Sequence, residues 1–196
     1  MLSSLKTILT LLVFSSIMLA ESSNTGNPQT AFPSTAVRES VRKDFYSSIE
    51  DEDANDKFIA RLNTEFKKEL ESNSPFFVAY YGAAETLIGK HAWNPVNKLK
   101  YLHQGMAKID DVIKKFPNDL EVRFLRFSIL HHLPSILGYS EETEADVKKL
   151  YELLLQKNYT VVDAKLQKGM LDFVIDTERL TEQQNTKLRE IYNLLP

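Results

Sequence analysis

Two arginines on one predicted helix are the residues of this chain best suited to bind an anion. Arg123 and Arg126 stand three positions apart, so they share one side of a helix. A guanidinium group matches a carboxylate or phosphate with two parallel hydrogen bonds, which would make the pair an anion clamp. The alternative is an internal ion pair with Glu85 or Glu121, because a charge near the core needs a partner. We favour the ion pair, since the surrounding helix has little polar surface.

The four histidines do not have the spacing of a metal site. His131 and His132 are adjacent, and adjacent side chains on a helix point about 100° apart. A pair at i and i+4 with a glutamate between them, as in a zinc protease helix, is missing. His91 and His103 lie on other predicted elements. We therefore predict no metal ion and no cofactor.

The single tryptophan, Trp93, lies in the sequence KHAWNP just before a predicted helix start. It could anchor a protein partner, because tryptophan is enriched in the hot spots of interfaces. It could instead pack across the first turn of the next helix as a hydrophobic staple, and we favour the staple. Tyr139 and other tyrosines could line a groove, although aromatic residues at helical spacing more often belong to a core.

No catalytic motif is recognisable in the sequence. There is no G-x-S-x-G, no pair of catalytic carboxylates, and no glycine cluster that would cradle a phosphate. We therefore predict that the protein is not an enzyme. An enzyme of an unrecognised class would have to bring Glu85, His91, Arg123 and Arg126 into one pocket. A further alternative is a carrier that holds a small molecule or lipid in a cavity between helices.

Composition limits the classes of partner. The net charge is −3, from 24 basic and 27 acidic residues, without the concentrated positive charge that nucleic acid requires. Cysteine is absent, which excludes disulfides and cysteine metal sites. A length of 196 residues allows one domain with a sizeable core.

The N-terminal sequence predicts export. Residues 1–20 contain Lys6 and then an uncharged apolar run too short to span a bilayer comfortably, as in a secretory signal peptide. An uncleaved anchor is the alternative. Residues 21–34 are rich in Ser, Thr, Asn, Gly and Pro, which predicts a disordered linker. We expect a periplasmic or secreted protein with no stable membrane span after the signal is removed.

Residues 35–196 show helical periodicity and no period-two alternation, which predicts an all-α domain of about eight helices in antiparallel pairs. The stretch 119–133 is apolar on almost every side, so other helices must cover it. We expect Leu102 and Ile109 to meet Phe124 of this central helix. They belong to a seam with three- and four-residue spacing: Leu99, Leu102, Met106, Ile109, Ile113 and Phe116.

Capping residues predict where helices begin. Ser74 precedes Pro75 and Asn94 precedes Pro95, and each pair is typical of a helix start. Thr181 with Gln184 predicts a capping box. Further starts are expected at Asp119 and Ser140. Ile59, Leu62, Phe66 and Leu70 continue one apolar stripe, which predicts a single helix.

The segment GMAKIDDVIKKFPNDLEVRFLRFSIL resembles the junction between two tetratricopeptide units. Gly105, Ile109, Val112 and Pro117 have the family's small–apolar–small–proline spacing, and Gly82 follows Tyr81 as in the first helix of a unit. The resemblance implies a right-handed array of helix pairs with a groove for peptides or proteins. Residues 90–140 are also similar to uncharacterised exported helical proteins of bacteria, a likeness that carries no known activity.

These observations predict an exported, non-catalytic helical-repeat protein that binds an unknown protein or peptide. The candidate contact residues are Glu85, His91, Trp93, Arg123, Arg126 and Tyr139.

Overall fold

The structure, a computed structural model, describes residues 33–156 and 162–196. Its α-helices are α1 (Thr35–Ser48), α2 (Glu52–Thr64), α3 (Lys67–Glu71), α4 (Pro75–His91), α5 (Pro95–Lys115), α6 (Leu120–His131), α7 (Ser140–Leu155), α8 (Ala164–Asp176) and α9 (Glu182–Leu194). A 3₁₀ turn, Ser135–Leu137, joins α6 to α7. The predicted all-α fold is confirmed, and the described residues contain no strand. The predicted signal peptide and the linker as far as residue 32 lie outside the described residues.

Most helices begin where the capping residues indicate. The side chains of Asn94 and Asp119 accept hydrogen bonds from the backbone N–H groups of Val96 and Val122. Thr181 and Gln184 form the predicted capping box. At Ser74 only the proline part of the signal holds, because Pro75 opens α4 but Ser74 makes no side-chain capping bond.

The predicted single helix through Ile59 and Leu70 is wrong. It is divided into α2 and α3, with Glu65 and Phe66 between them. Phe66 leaves helical geometry and stacks on Phe77 of α4, with ring centroids 4.6 Å apart. The aromatic contact with α4 therefore accompanies a break that no glycine or proline marks in the sequence.

Three glycines bring α4 and α5 into backbone contact. A methyl group added at Gly82 would lie 2.7 Å from the carbonyl oxygen of Gly105, and one at Gly105 would overlap the carbonyl oxygen of Gly82. At Gly89 an added methyl group would lie 2.7 Å from the carbonyl oxygen of Lys98. Real side-chain carbons do not approach oxygen so closely, so these helices pack this tightly only because the three positions lack a side chain.

Helix α6 belongs to two hydrophobic cores. Its Val122, Leu125 and Leu130 pack into the first core, which is formed with helices α1, α2, α4 and α5. Its Leu120, Phe124 and Phe127 pack into the second core, formed with α7, α8 and α9. The central position of this helix is confirmed, because both of its apolar faces are covered.

Two details of the predicted seam need correction. Leu102, Ile109 and Phe124 are all buried, but Phe124 faces the second core and not the seam. Leu99 and Phe116, at the two ends of the seam, are 42% and 45% exposed. The seam therefore covers only the middle of α5.

Candidate functional site

The two arginines of α6 share one buried carboxylate. Asp146 of α7 is fully buried and accepts from Arg123 Nη1 at 2.7 Å. Arg126 donates to both oxygens of Asp146, from Nε at 2.7 Å and from Nη2 at 2.6 Å. Its Nη1 also donates to Asp110 of α5 at 2.6 Å. The predicted internal ion pair is confirmed, but the expected partners Glu85 and Glu121 are wrong.

This ionic cluster joins α5, α6 and α7 and leaves little capacity for an added anion. Burial alone would lower the pKa of Arg126, but the hydrogen bond and charge of Asp146 raise it above the ordinary arginine value. Arg123 uses Nη2 to donate to the carbonyl oxygen of Pro117 at 2.8 Å. A new anion would therefore have to displace Asp146 from its hydrogen bonds.

Glu121 belongs to a second buried cluster. Arg42 of α1 donates to its two oxygens from Nε and Nη2, both at 2.6 Å. The hydroxyl group of Tyr80 on α4 donates to the same carboxylate at 2.9 Å. Burial, followed by the nearby charge of Glu121, raises the pKa of Tyr80 well above its ordinary value. The cluster therefore holds α1 and α4 to α6 with Tyr80 as a neutral donor.

The residues that a catalytic site would need are engaged in different places. Glu85 pairs with Lys108 at 2.6 Å across α4 and α5. The Nε2 atom of His91 lies 3.1 Å from the carbonyl oxygen of Ser48 on α1. Neither contact involves Arg123 or Arg126. Glu85 and His91 therefore lie in contacts apart from each other and from the cluster of Arg123 and Arg126, and the four side chains do not converge on one site.

His131 and His132 pack around an aromatic ring. Their ring centroids lie 5.7 and 6.1 Å from that of Phe173. Arg179 Nε donates to Nδ1 of His131 at 3.3 Å. Burial lowers the pKa of both histidines, and the charges of His132 and Arg179 lower that of His131 further. Within the described part of the chain, no three His, Asp or Glu side chains are arranged to hold a metal ion.

Trp93 is the clearest departure from the sequence prediction. Its side chain is 96% exposed, so the predicted packing of a staple against α5 is wrong. Val96, in the first turn of α5, is 72% exposed, and Ile136 of the 3₁₀ turn is 90% exposed. Large apolar side chains with this exposure cost free energy in water.

Trp93, Val96 and Ile136 lie in or next to connections at one end of the helix array. We call this end the tip and define it as residues 49–53, 90–100 and 131–139. Lys90 fixes the first two segments together, because its Nζ donates to the carbonyl oxygen of Ile49 and to Glu50 Oε1, the latter at 2.9 Å. Lys98 Nζ donates to the carbonyl oxygen of Lys90 at 3.2 Å. The loop that carries Trp93 is thus held at both of its ends.

The third segment reaches the tip through Tyr139 and His132. The ring of Tyr139, which is half-buried, packs edge-on against that of His103 on α5 with centroids 6.3 Å apart. Burial raises the pKa of the Tyr139 hydroxyl group. On the other side, the charge of Lys90 contributes to the lowered pKa of His132. The 3₁₀ turn with Ile136 follows His132 and precedes Tyr139, so it lies at the same end as Trp93.

The structure therefore separates the six sequence candidates. Trp93 and His91 lie at the tip, and Tyr139 lies at its edge. Glu85, Arg123 and Arg126 lie in ion pairs between helices. The contact of Glu50 with Lys90 was missed, because 40 residues separate them and no local pattern joins them.

None of the described helices is long and apolar enough to cross a membrane. Comparisons with family models, with curated proteins and with solved structures find no match to this chain.

Proposed function

We propose that this protein is an exported, non-catalytic interaction module that binds a protein partner through its tip. The observation that carries the proposal is the exposure of Trp93, at 96%, at the same end of the helix array as the exposed Val96 and Ile136. Grouped apolar side chains on a surface are typical of a binding site. Tryptophan in particular loses much of its unfavourable hydration when it enters a pocket of a partner.

The buried ion pairs support the same proposal. Arg123 and Arg126 both donate hydrogen bonds to the buried carboxylate of Asp146 inside the helix array. Their charges are therefore explained by packing, and the exposed apolar residues of the tip are the feature that packing does not explain.

In this proposal the helix pairs form a tetratricopeptide-like array. The backbone contact of Gly82 with Gly105 is the close approach that small residues permit in such pairs. Pro117 lies between α5 and α6, where a proline would turn the chain into the next unit. The tip is then one end of the array, formed by the turns between consecutive helices.

A capture experiment tests the proposed function. The mature protein is used as bait in an extract of the native envelope, beside Trp93→Ala and Leu194→Ala variants. Leu194 is a matched control because it is 67% exposed but lies on α9, outside the tip. We expect Trp93→Ala to lose the captured protein and Leu194→Ala to retain it. Equal capture by all three proteins would contradict a binding role for the tip.

A further inference from the structure

We infer that the tip binds the tip of a second copy of this chain in a two-fold symmetric pair. The inference rests on the proposed function, because it uses the same surface, and it names the partner. It follows from the exposed charges of the tip, which carries both acidic and basic side chains together with Trp93.

One segment of the tip is acidic. The turn between α1 and α2 and the first turn of α2 carry four consecutive acidic residues, Glu50 to Asp53, and all four are exposed. Glu50 is paired with Lys90, and Asp51 caps α2 by accepting from the N–H of Ala54 at 3.0 Å. Glu52 and Asp53 make no ion pair with any other described residue. These two carboxylates therefore remain available to a partner.

A second segment of the tip is basic. Residues 86–109 contain no acidic residue, although the chain as a whole has more acidic than basic side chains. Lys98 and Lys100 follow Trp93 on the exposed first turns of α5. Within residues 33–156 and 162–196, neither lysine pairs with a carboxylate; Lys98 donates to a backbone carbonyl and Lys100 lies over the ring of Tyr101.

Lys90 contacts both charged segments, because its Nζ atom donates to Glu50 and its carbonyl oxygen accepts from Lys98 Nζ. A polyanion such as nucleic acid or an anionic membrane would be attracted by Lys98 and Lys100 but repelled by the acidic turn. A basic partner would meet the reverse conflict. The best complement carries exposed apolar side chains together with both acidic and basic groups, and another tip has that composition.

Two-fold symmetry makes the complementarity complete. In a symmetric pair, every contact of residue i with residue j is repeated as j with i. If the acidic turn of one copy faces Lys98 and Lys100 of the other, the reciprocal contact forms as well. The Trp93 side chains then lie near the axis, where the exposed Val96 and Ile136 of the opposite copy can cover them.

The surface is small, so we expect a weak pair. A stable dimer commonly buries about 800 Å² on each partner, with more large apolar residues than the tip presents. We expect a dissociation constant on the order of 10–100 µM. Because the flanking charges are exposed to solvent, salt should weaken the association.

Sedimentation of the purified protein over a range of concentrations tests the inference. The wild-type protein should pass from monomer to dimer, with weaker association at ~0.5 M than at ~0.05 M salt. Trp93 is the only tryptophan, so its fluorescence reports the tip alone. Its emission should move to shorter wavelength as the dimer forms, because the indole leaves water.

Two variants with reversed charges provide the most specific test of the symmetric pair. One variant carries Lys98→Glu with Lys100→Glu, and the other carries Glu52→Lys with Asp53→Lys. Each should associate with itself at least about tenfold more weakly than wild type, because like charges face each other. An equimolar mixture should restore dimer formation, since both reciprocal contacts of the mixed pair then join opposite charges.

Thermal unfolding of each variant is the control for folding. Glu52→Lys with Asp53→Lys places positive charge at the N-terminus of α2, where it opposes the helix dipole and lowers stability. The Trp93→Ala variant therefore serves as a second test, because it leaves every charge in place. It should remain monomeric at concentrations where wild type is dimeric.

The outcomes separate the two proposals. A wild-type protein that stays monomeric at every concentration overturns self-association, and so does a mixture that fails to dimerise while both charge variants are folded. If Trp93-dependent capture persists in either case, the proposed function stands with another partner. If anionic vesicles shift the Trp93 emission of a monomeric protein, the tip is a membrane-binding surface and both proposals fail.

Discussion

Asp146 is the residue on which the buried charges of α6 depend. It is fully buried and accepts hydrogen bonds from both Arg123 and Arg126. Arg126 has a second partner in Asp110, and Arg123 has the carbonyl oxygen of Pro117. The carboxylate therefore compensates two guanidinium groups, while each guanidinium keeps another acceptor.

This asymmetry predicts an order of stability. Asp146→Asn should destabilise the protein by about 3–5 kcal/mol, because it leaves two buried cations with a neutral partner. Arg126→Met should cost less, since Arg123 still compensates Asp146, and Arg123→Met should cost least. Thermal unfolding at two salt concentrations measures all three, with little salt dependence because the groups are shielded from solvent. If either arginine replacement raised stability, the structural role of the cluster would be wrong.

The histidines predict a dependence of stability on pH. Burial lowers the folded-state pKa of His131 and His132 below the ordinary value of 6.5, so the unfolded chain binds protons more readily. The contribution of the two neutral histidines to the free energy of unfolding should be fully present above pH 6.5. It should fall as pH decreases from there toward the lower folded-state pKa values. Unfolding curves between pH 7.5 and pH 5.5 measure the effect, and His131→Gln should reduce its size. A rise in stability on acidification would contradict the lowered pKa of these two histidines.

At the scale of helices, the contact of α4 with α5 depends on glycine. Gly105→Ala should cost about 1–3 kcal/mol or more, because the added methyl group overlaps backbone atoms and a methyl-sized change in a packed contact moves both helices. Gln104→Ala is the matched control, since Gln104 is the exposed neighbour of Gly105 on the same helix. Denaturant unfolding compares the two variants. Equal stability would mean that the helices can separate at no cost.

Helix starts could be predicted from the sequence because capping is a local interaction. Asn94 and Thr181 bind N–H groups within three residues of themselves. The break at Phe66 could not be predicted, because the contact that accompanies it is made with the ring of Phe77 on another helix. The partner of the arginines was missed for the same reason. Asp146 lies in an acidic stretch, and only the tertiary packing of α7 selects it over its neighbours.

The exposure of Trp93 was also beyond the sequence. A tryptophan before a helix start fits both a staple, which the sequence favours, and a binding residue, and the two differ only in whether neighbours cover the ring. In the structure the ring is left in solvent. The feature that carries the proposed function is thus one that local patterning cannot decide.

At the scale of the whole molecule, α6 couples two hydrophobic cores. Phe127 lies in the second core and is completely buried, while Leu125 lies in the first. Because one rigid helix supplies both cores, neither can lose its packing while the other keeps its own. We therefore expect the described helices to unfold together.

Replacing Phe127 by alanine tests this coupling. The change should cost about 3–5 kcal/mol and should lower a single calorimetric transition. Phe116→Ala, at a position 45% exposed, is the control and should have a much smaller effect. Two separate transitions, of which only one moves with Phe127→Ala, would show that the cores are independent.

In the structure the buried charges of α6 join helices, and in the proposed function the exposed tip binds a partner. The most direct test measures unfolding and sedimentation of Trp93→Ala side by side with wild type. Because the ring is 96% exposed, we expect the free energy of unfolding to change by no more than about 0.5 kcal/mol. We also expect the variant to lose self-association. A variant that is clearly destabilised but still associates like wild type would contradict both expectations, because Trp93 would then be a packing residue.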